Sequence, residues 1–145
     1  MARIRIELPT SFPFTTSFPV RITDINYGGH GGNDSILGMI HEARMQFLAH
    51  HGYTEMEFEG VGMIMSDVAI EFKNELFYGE TVLVSVAPSN FSRSGFELYY
   101  KLEKMHEGSK LPVAFAKTGM VCFDYKTSRI VSLPTNARRK MEETS

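Results

Sequence analysis

Asn33-Asp34-Ser35-Ile36-Leu37-Gly38-Met39-Ile40-His41-Glu42-Ala43-Arg44-Met45-Gln46-Phe47-Leu48-Ala49-His50 carries the one strong helical period of this chain. Ile36, Leu37, Ile40, Ala43, Phe47 and Leu48 recur at helical spacing and make a wide apolar arc. Asn33 or Asp34 suits the cap at its start, and Gly52 suits its end. Arg44 falls inside the arc, where it either snorkels outward or pairs with a buried carboxylate; pairing is the expectation we favour. An arc this wide needs cover on several sides, which a sheet curved around one helix supplies.

The flanking sequence has the period of strands. Before the helix, residues 17–24 put Phe18, Val20, Ile22 and Asp24 on one side and Pro19, Arg21 and Thr23 on the other. Asp24 thus ends an inward row, a costly place for an unpartnered carboxylate. After the helix, four strand patterns follow. Ile64, Val68, Ile70 and Phe72 share a face with Ser66, and Val82, Val84 and Val86 share another. Phe96, Leu98, Tyr100 and Leu102 alternate with polar residues, and Val113, Phe115, Val121, Phe123 and Tyr125 lie on one parity. The connections at Tyr78-Gly79-Glu80, Arg93-Ser94-Gly95 and Glu107-Gly108-Ser109 are short, so neighbouring strands run antiparallel. A short helix is expected over 134–143. The expected architecture is α+β: about five to six antiparallel strands around one long helix, in a single domain over residues 1–145.

Composition excludes several function classes. The net charge of −2 leaves no basic excess for nucleic acid, and Arg138-Arg139-Lys140 reads as the solvated face of the last helix. One cysteine, Cys122, permits neither an internal disulfide nor a cysteine zinc site; it lies in an apolar run and reads as a buried thiol. Met1-Ala2-Arg3-Ile4-Arg5 lacks the apolar run of a signal peptide, and no window matches a membrane span. A cytoplasmic location is the expectation.

Chemistry concentrates in Thr23-Asp24-Ile25-Asn26-Tyr27-Gly28-Gly29-His30-Gly31-Gly32-Asn33-Asp34, with four glycines in the five positions 28–32. Glycine lets backbone approach a ligand, and N–H groups near a helix start are donors for an oxyanion. A carboxylate, an amide and an imidazole can hold or deprotonate water. A Gly-rich turn with polar caps also serves plain chain reversal, and both readings stand at this point. No Gly-Lys-Ser/Thr follows, so it is not a phosphate loop.

Val20-Arg21-Ile22-Thr23-Asp24-Ile25-Asn26-Tyr27-Gly28-Gly29-His30 resembles the strand-and-turn motif, Asp-x-Asp-x-x-Gly, of the 4-hydroxybenzoyl-CoA thioesterase family. Glu42-Ala43-Arg44 resembles the Glu-Ala-Arg of that family's helix. Ile70-Glu71-Phe72 to Tyr78-Gly79-Glu80, Phe91-Ser92-Arg93-Ser94-Gly95-Phe96 and Val131-Ser132-Leu133-Pro134 are similar to later family segments, so the likeness runs over roughly residues 17–140. It implies a hotdog fold, and a homodimer or homotetramer with sites at the subunit interface. It implies no metal and no cofactor, coenzyme A entering only as part of an acyl-CoA substrate that is cleaved to acid and thiol.

One departure matters. The family's catalytic carboxylate is usually the second Asp of Asp-x-Asp, and here that position is Asn26. An amide can hydrogen-bond a carbonyl or a water but cannot act as base or carboxylate nucleophile. The base is then expected among Asp24, His30, Glu42 or a partner-subunit residue such as Asp67. The expected catalytic set is Asp24, Asn26, His30 and Glu42. Tyr27, Gly28, Gly29, Asn33 and Arg93 are expected to contact substrate, with the thioester carbonyl on N–H groups around Gly28–His30. Met39, Met63 and Met65 are expected walls of an acyl tunnel, and Lys73, Arg93 and Lys117 candidate cations for the coenzyme phosphates. Asp-x-Asn followed by His also resembles plant acyl-carrier-protein thioesterases and hotdog enoyl-CoA hydratases, at different spacings. A hydratase and a non-catalytic acyl-CoA-binding module are therefore the alternatives.

Overall fold

The structure, a computed structural model, describes residues 3–29 and 31–144. Strand β1 (Phe14–Pro19) leads through a 3-10 turn (Ile22–Asp24) to helix α1 (Asn33–His50). Strands β2 (Gly62–Phe72), β3 (Thr81–Ser89), β4 (Gly95–His106), β5 (Ser109–Asp124) and β6 (Arg129–Ile130) follow, and helix α2 (Thr135–Thr144) closes the chain. The strands form one antiparallel sheet in the order β1-β3-β4-β5-β2, with β6 beside β5. This is the expected hotdog arrangement of a sheet on a long helix.

The alternating sequence of β3 and β4 gives the sheet a dry face. Val82, Val84, Val86, Leu98, Tyr100 and Leu102 are fully buried, and Ile40, Ala43, Phe47 and Leu48 of α1 are buried in the same cluster. The hairpin from β4 to β5 turns on Glu107 and Gly108, both at positive φ, as a two-residue connection between twisted strands requires. Cys122 is buried in the core, and burial pushes its thiol up to about 11, which suits packing and not nucleophilic chemistry.

Five details depart from the sequence expectation. The first strand covers 14–19, not 17–24, because Asp24 turns its carboxylate back onto the Arg21 N–H and closes a turn there; Ile22 is left exposed. Leu37 sits at the rim of the helix arc, and Met39 takes the inward place. In β2 a bulge between Met65 and Asp67 switches the faces. Ile64 stands beside Val121 on the outer face, while Met63 and Met65 before the bulge and Val68, Ile70 and Phe72 after it face inward. In β5 the buried row is Ala114, Ala116, Thr118, Met120 and Cys122, one residue out of step with the larger side chains Phe115, Val121 and Phe123. Helix α1 starts after Gly32, so Asn33 and Asp34 belong to its first turn and neither side chain caps it. Arg138 of the basic run pairs with Glu142 at 3.3 Å along α2.

Gly95 opens β4 against the carbonyl of Met120, which would stand 2.1 Å from a Cβ. Backbone of a paired strand cannot give way cheaply. Gly95→Ala is expected to cost about 2–3 kcal/mol, read as a lower denaturant midpoint at constant m-value.

Candidate active site

The turn between β1 and α1 is built by its own polar groups. Asp24 is buried, and its Oδ2 accepts from the Arg21 backbone N–H at 2.8 Å and from Arg21 Nε at 3.3 Å. Arg21 Nη2 donates to Oδ1 at 3.3 Å. The bond to Asp24, its charge and, more weakly, the charge of Glu42 hold the Arg21 guanidinium above its ordinary value. The Asp24 carbonyl accepts from the Gly32 N–H at 3.1 Å, which ties the 3-10 turn to the start of α1.

Asn26 spends its side chain locally. Its Oδ1 accepts from the Gly28 N–H at 2.9 Å and its carbonyl from the Gly29 N–H at 3.0 Å. Gly29 has φ +85°, which explains glycine there. Tyr27, Gly28 and Gly29 form an exposed tip. His30 lies outside the described residues. Gly31 donates to the Leu76 carbonyl at 2.7 Å. The amides of Gly28, Gly29, Gly31 and Gly32 are thus engaged within the protein. The first bond into the helix runs from the Ile36 N–H to the Gly32 carbonyl at 3.2 Å, so the N–H groups of Asn33, Asp34 and Ser35 precede the helical ladder and have no acceptor in it.

A cleft of about 340 Å³ opens between this turn and the helix, lined by Phe18, Pro19, Arg21, Asp24, Ser35, Gly38, Met39, Glu42 and Gln46. Ser35, Gly38 or Met39, Glu42 and Gln46 follow helical spacing and share one face of α1. A Cβ at Gly38 would meet nothing within 4 Å, so this position leaves the middle of the helix face open. Glu42 is exposed to the cleft, and its Oε2 accepts from Gln46 Nε2 at 2.8 Å. Gln46 Oε1 in turn accepts from the Thr16 hydroxyl.

Two expected site residues are thereby brought together, Asp24 and Glu42, with Met39 as a wall. Met63 lies in the core and Met65 is part-exposed on the edge strand β2. Asn33 lines a smaller cleft with Gly31, Ile36 and the 72–76 segment, and Arg93 a third with Ser94 and Ser132. Lys73 pairs with Glu71 at 2.8 Å, and Lys117 bridges Asp67 at 3.0 Å and Glu97 at 3.1 Å. Arg44 holds Glu55 at 3.0 Å rather than a carboxylate of the cleft. Sequence reasoning missed Arg21, Ser35 and Gln46. The available signals were the Arg-x-x-Asp spacing of a side-chain-closed turn and the i, i+4 spacing of Glu42 and Gln46.

Comparison with known proteins agrees with the fold. The profile of the thioesterase-like superfamily matches residues 20–141. A 1,4-dihydroxy-2-naphthoyl-CoA hydrolase of Nostoc punctiforme is 26% identical over 124 residues, 83% of this chain and 81% of that protein. The crystal structure of a 1,4-dihydroxy-2-naphthoyl-CoA thioesterase from Synechocystis superposes with a TM-score of 0.77 at 20% identity, covering 88% of this chain and 93% of the other. A mutant of 4-hydroxybenzoyl CoA thioesterase, complexed with 4-hydroxybenzoyl CoA, superposes with a TM-score of 0.81 at 13% identity, covering 88% of this chain and 97% of the other.

Proposed function

Since the chain belongs to the thioesterase-like superfamily, we propose that it hydrolyses an acyl-CoA thioester to a free acid and the coenzyme thiol, in the cleft between the Arg21–Asp24 turn and helix α1. The observation that carries this reading is a carboxylate, Glu42, exposed in a cleft that it shares with Phe18, Met39 and the Arg21–Asp24 pair and that reaches Ser35 in the first turn of α1. Glu42 takes a proton from water, and the resulting hydroxide adds to the thioester carbonyl carbon. The oxyanion is stabilised by the N–H groups of the first turn of α1, at the positive end of its dipole. Collapse breaks the C–S bond, and the leaving sulfur takes the proton back from Glu42. Asp24 serves by fixing Arg21 and the turn. His30 is the second candidate for the base. Asn26 shapes the turn, while Tyr27, Gly28 and Gly29 are rim contacts and Asn33 contributes its helix-start amide. The Arg93 cleft is a place for the coenzyme phosphates. Neither a metal nor a prosthetic group is required by these steps.

A homodimer or a homotetramer of such dimers accompanies this reading. Strand β2 is an edge strand that, among the described residues, the N-terminal segment touches only at Glu71 and Phe72, and its inward Met65, Val68 and Phe72 remain 38–40% exposed, a surface that a second copy would cover. A cytoplasmic setting also belongs to the proposal, in keeping with a lone reduced thiol at Cys122. No helix among the described residues is long and apolar enough to cross a membrane.

Asn26→Asp tests whether the amide at this position limits the rate. An Asp there can accept the Gly28 N–H as Asn26 does, so the turn should persist. With Glu42 as base, kcat should stay within about threefold of the parent, well below the 10²–10⁴ that a new general base contributes. A hundredfold rise in thiol release would instead make the natural chain a weak catalyst, or a binder, for want of a carboxylate at 26.

A further inference from the structure

Lys104 is the outlier of the core. It continues the inward row of β4 after Tyr100 and Leu102 and is only 5% exposed. Its Nζ donates to the Glu75 carbonyl at 2.7 Å, pairs with the Glu80 carboxylate at 3.1 Å and lies 5.1 Å from the centre of the Phe77 ring. All three partners belong to the β2–β3 connection, residues 73–80. Glu80 carries the contact inward: its Oε1 accepts from the Phe77 N–H at 2.6 Å and its N–H donates to the Phe77 carbonyl at 3.1 Å.

This connection also holds both flanks of the active-site turn. At the entry, the Val20 N–H donates to the Glu80 carbonyl at 2.8 Å and the Gly79 N–H to the Val20 carbonyl at 3.2 Å. At the exit, the Gly31 N–H donates to the Leu76 carbonyl at 2.7 Å, with so little room that a Cβ on Gly31 would lie 3.3 Å from the Leu76 Cβ. Val20 precedes Arg21 and the Asp24 turn. Gly31 precedes Gly32, from which α1 starts.

We propose that Lys104 is a positioning residue for the thioesterase site: its buried ammonium pins the 73–80 connection, and that connection sets the distance between the Asp24 turn and the start of α1. The proposal rests on the hydrolysis reading for its kinetic consequence, not for its structural one. A buried lysine satisfied by a carbonyl and a carboxylate is costly to desolvate, and a Met of the same length would fill the space without that cost. Core stability therefore does not by itself account for the charge. A displacement of about 1 Å in a reacting geometry is enough to cost roughly 10²-fold in rate.

The test is Lys104→Met in the full chain, read by amide hydrogen exchange and by steady-state thiol release from acyl-CoA. The expected result is exchange at Gly31, Gly32 and Val20 at least about tenfold faster, with β4 and β5 amides unchanged. It is accompanied by a fall in kcat of about tenfold or more with KM within about threefold. If Lys104→Met fails to fold, Glu80→Gln, which keeps an acceptor for the Phe77 N–H, is read in the same way. Unchanged exchange at Gly31 and Gly32 overturns the brace, and so does faster exchange spread evenly through β4 and β5, which marks a general loss of stability. Exchange reports on the brace even if the parent proves inactive on thioesters, so failure of the brace and failure of the hydrolysis reading are told apart.

Discussion

Glu42→Gln should lower kcat for acyl-CoA hydrolysis by about 10²- to 10⁴-fold, the range for loss of a positioned general base. The amide keeps the size of the side chain and can still accept from Gln46 Nε2, so the helix face and the relay to the Thr16 hydroxyl persist. What is lost is the capacity to take a proton. Because the residue is exposed and, among the described residues, carries no ion pair into the core, the melting temperature should move by no more than a degree or two. The check is steady-state thiol release by parent and variant at matched protein concentration. An undiminished rate would transfer the base to His30 or to a partner-subunit carboxylate. A similar loss in Asp24→Asn would not distinguish the two carboxylates, since freeing Arg21 disturbs the whole turn.

Arg44→Ala should be the most destabilising of the substitutions considered, by about 3 kcal/mol, the low end for breaking a buried charge pair. Arg44 is 5% exposed in the arc of α1. Its Nε donates to Glu55 at 3.0 Å and its Nη1 to the Tyr100 hydroxyl at 3.3 Å, which is 2.7 Å from the Thr118 hydroxyl. Burial acts to lower the guanidinium, and Tyr100 and Glu55 more than reverse it. The chain of contacts joins α1 to β4, β5 and the segment after the helix. Glu55 keeps some solvent and lies 2.9 Å from His41 Nε2, which is why the low end of the range applies. Arg44→Met refills the space and should recover at least half of the loss. Urea unfolding monitored by fluorescence or circular dichroism reads both values, and a change below about 1 kcal/mol for Arg44→Ala would mean that the network contributes little.

The helix was the most legible part of the chain, because an apolar arc from Ile36 to Leu48 between Gly32 and Gly52 leaves one reading. Its buried arginine also announced a partner, though not that the partner would be Glu55. The strands were legible as strands but not always by face. In β2 the bulge at Ser66 moves Val68 and Phe72 to the side opposite Ile64, and an inserted residue leaves no mark in an alternating pattern. In β5 the core row is partly alanine, so residue size pointed to the wrong side. The first strand ended early because a side-chain cap, invisible to periodicity, competes with the sheet at Arg21 and Asp24.

At the candidate site, the alternating pattern marked Asp24 as buried, although a turn and not a strand buries it, and Glu42 was singled out through its resemblance to the Glu-Ala-Arg helix. The glycine amides were not legible as engaged. Gly28 and Gly29 bond Asn26, and Gly31 reaches Leu76, some forty-five residues along the chain. Only the folded chain shows that the donors left outside the helical ladder lie three to seven residues on, in the first turn of α1. Lys104 was hidden for the same reason: its partners Glu75 and Glu80 come from another connection.

The most direct test of the central claim is thiol release from a panel of short, long and aromatic acyl-CoA thioesters by the purified chain. Release well above the uncatalysed rate from at least one member, and its loss in Glu42→Gln, is the predicted result. No release from any member, with crotonyl-CoA hydrated or acyl-CoA merely bound, would contradict it.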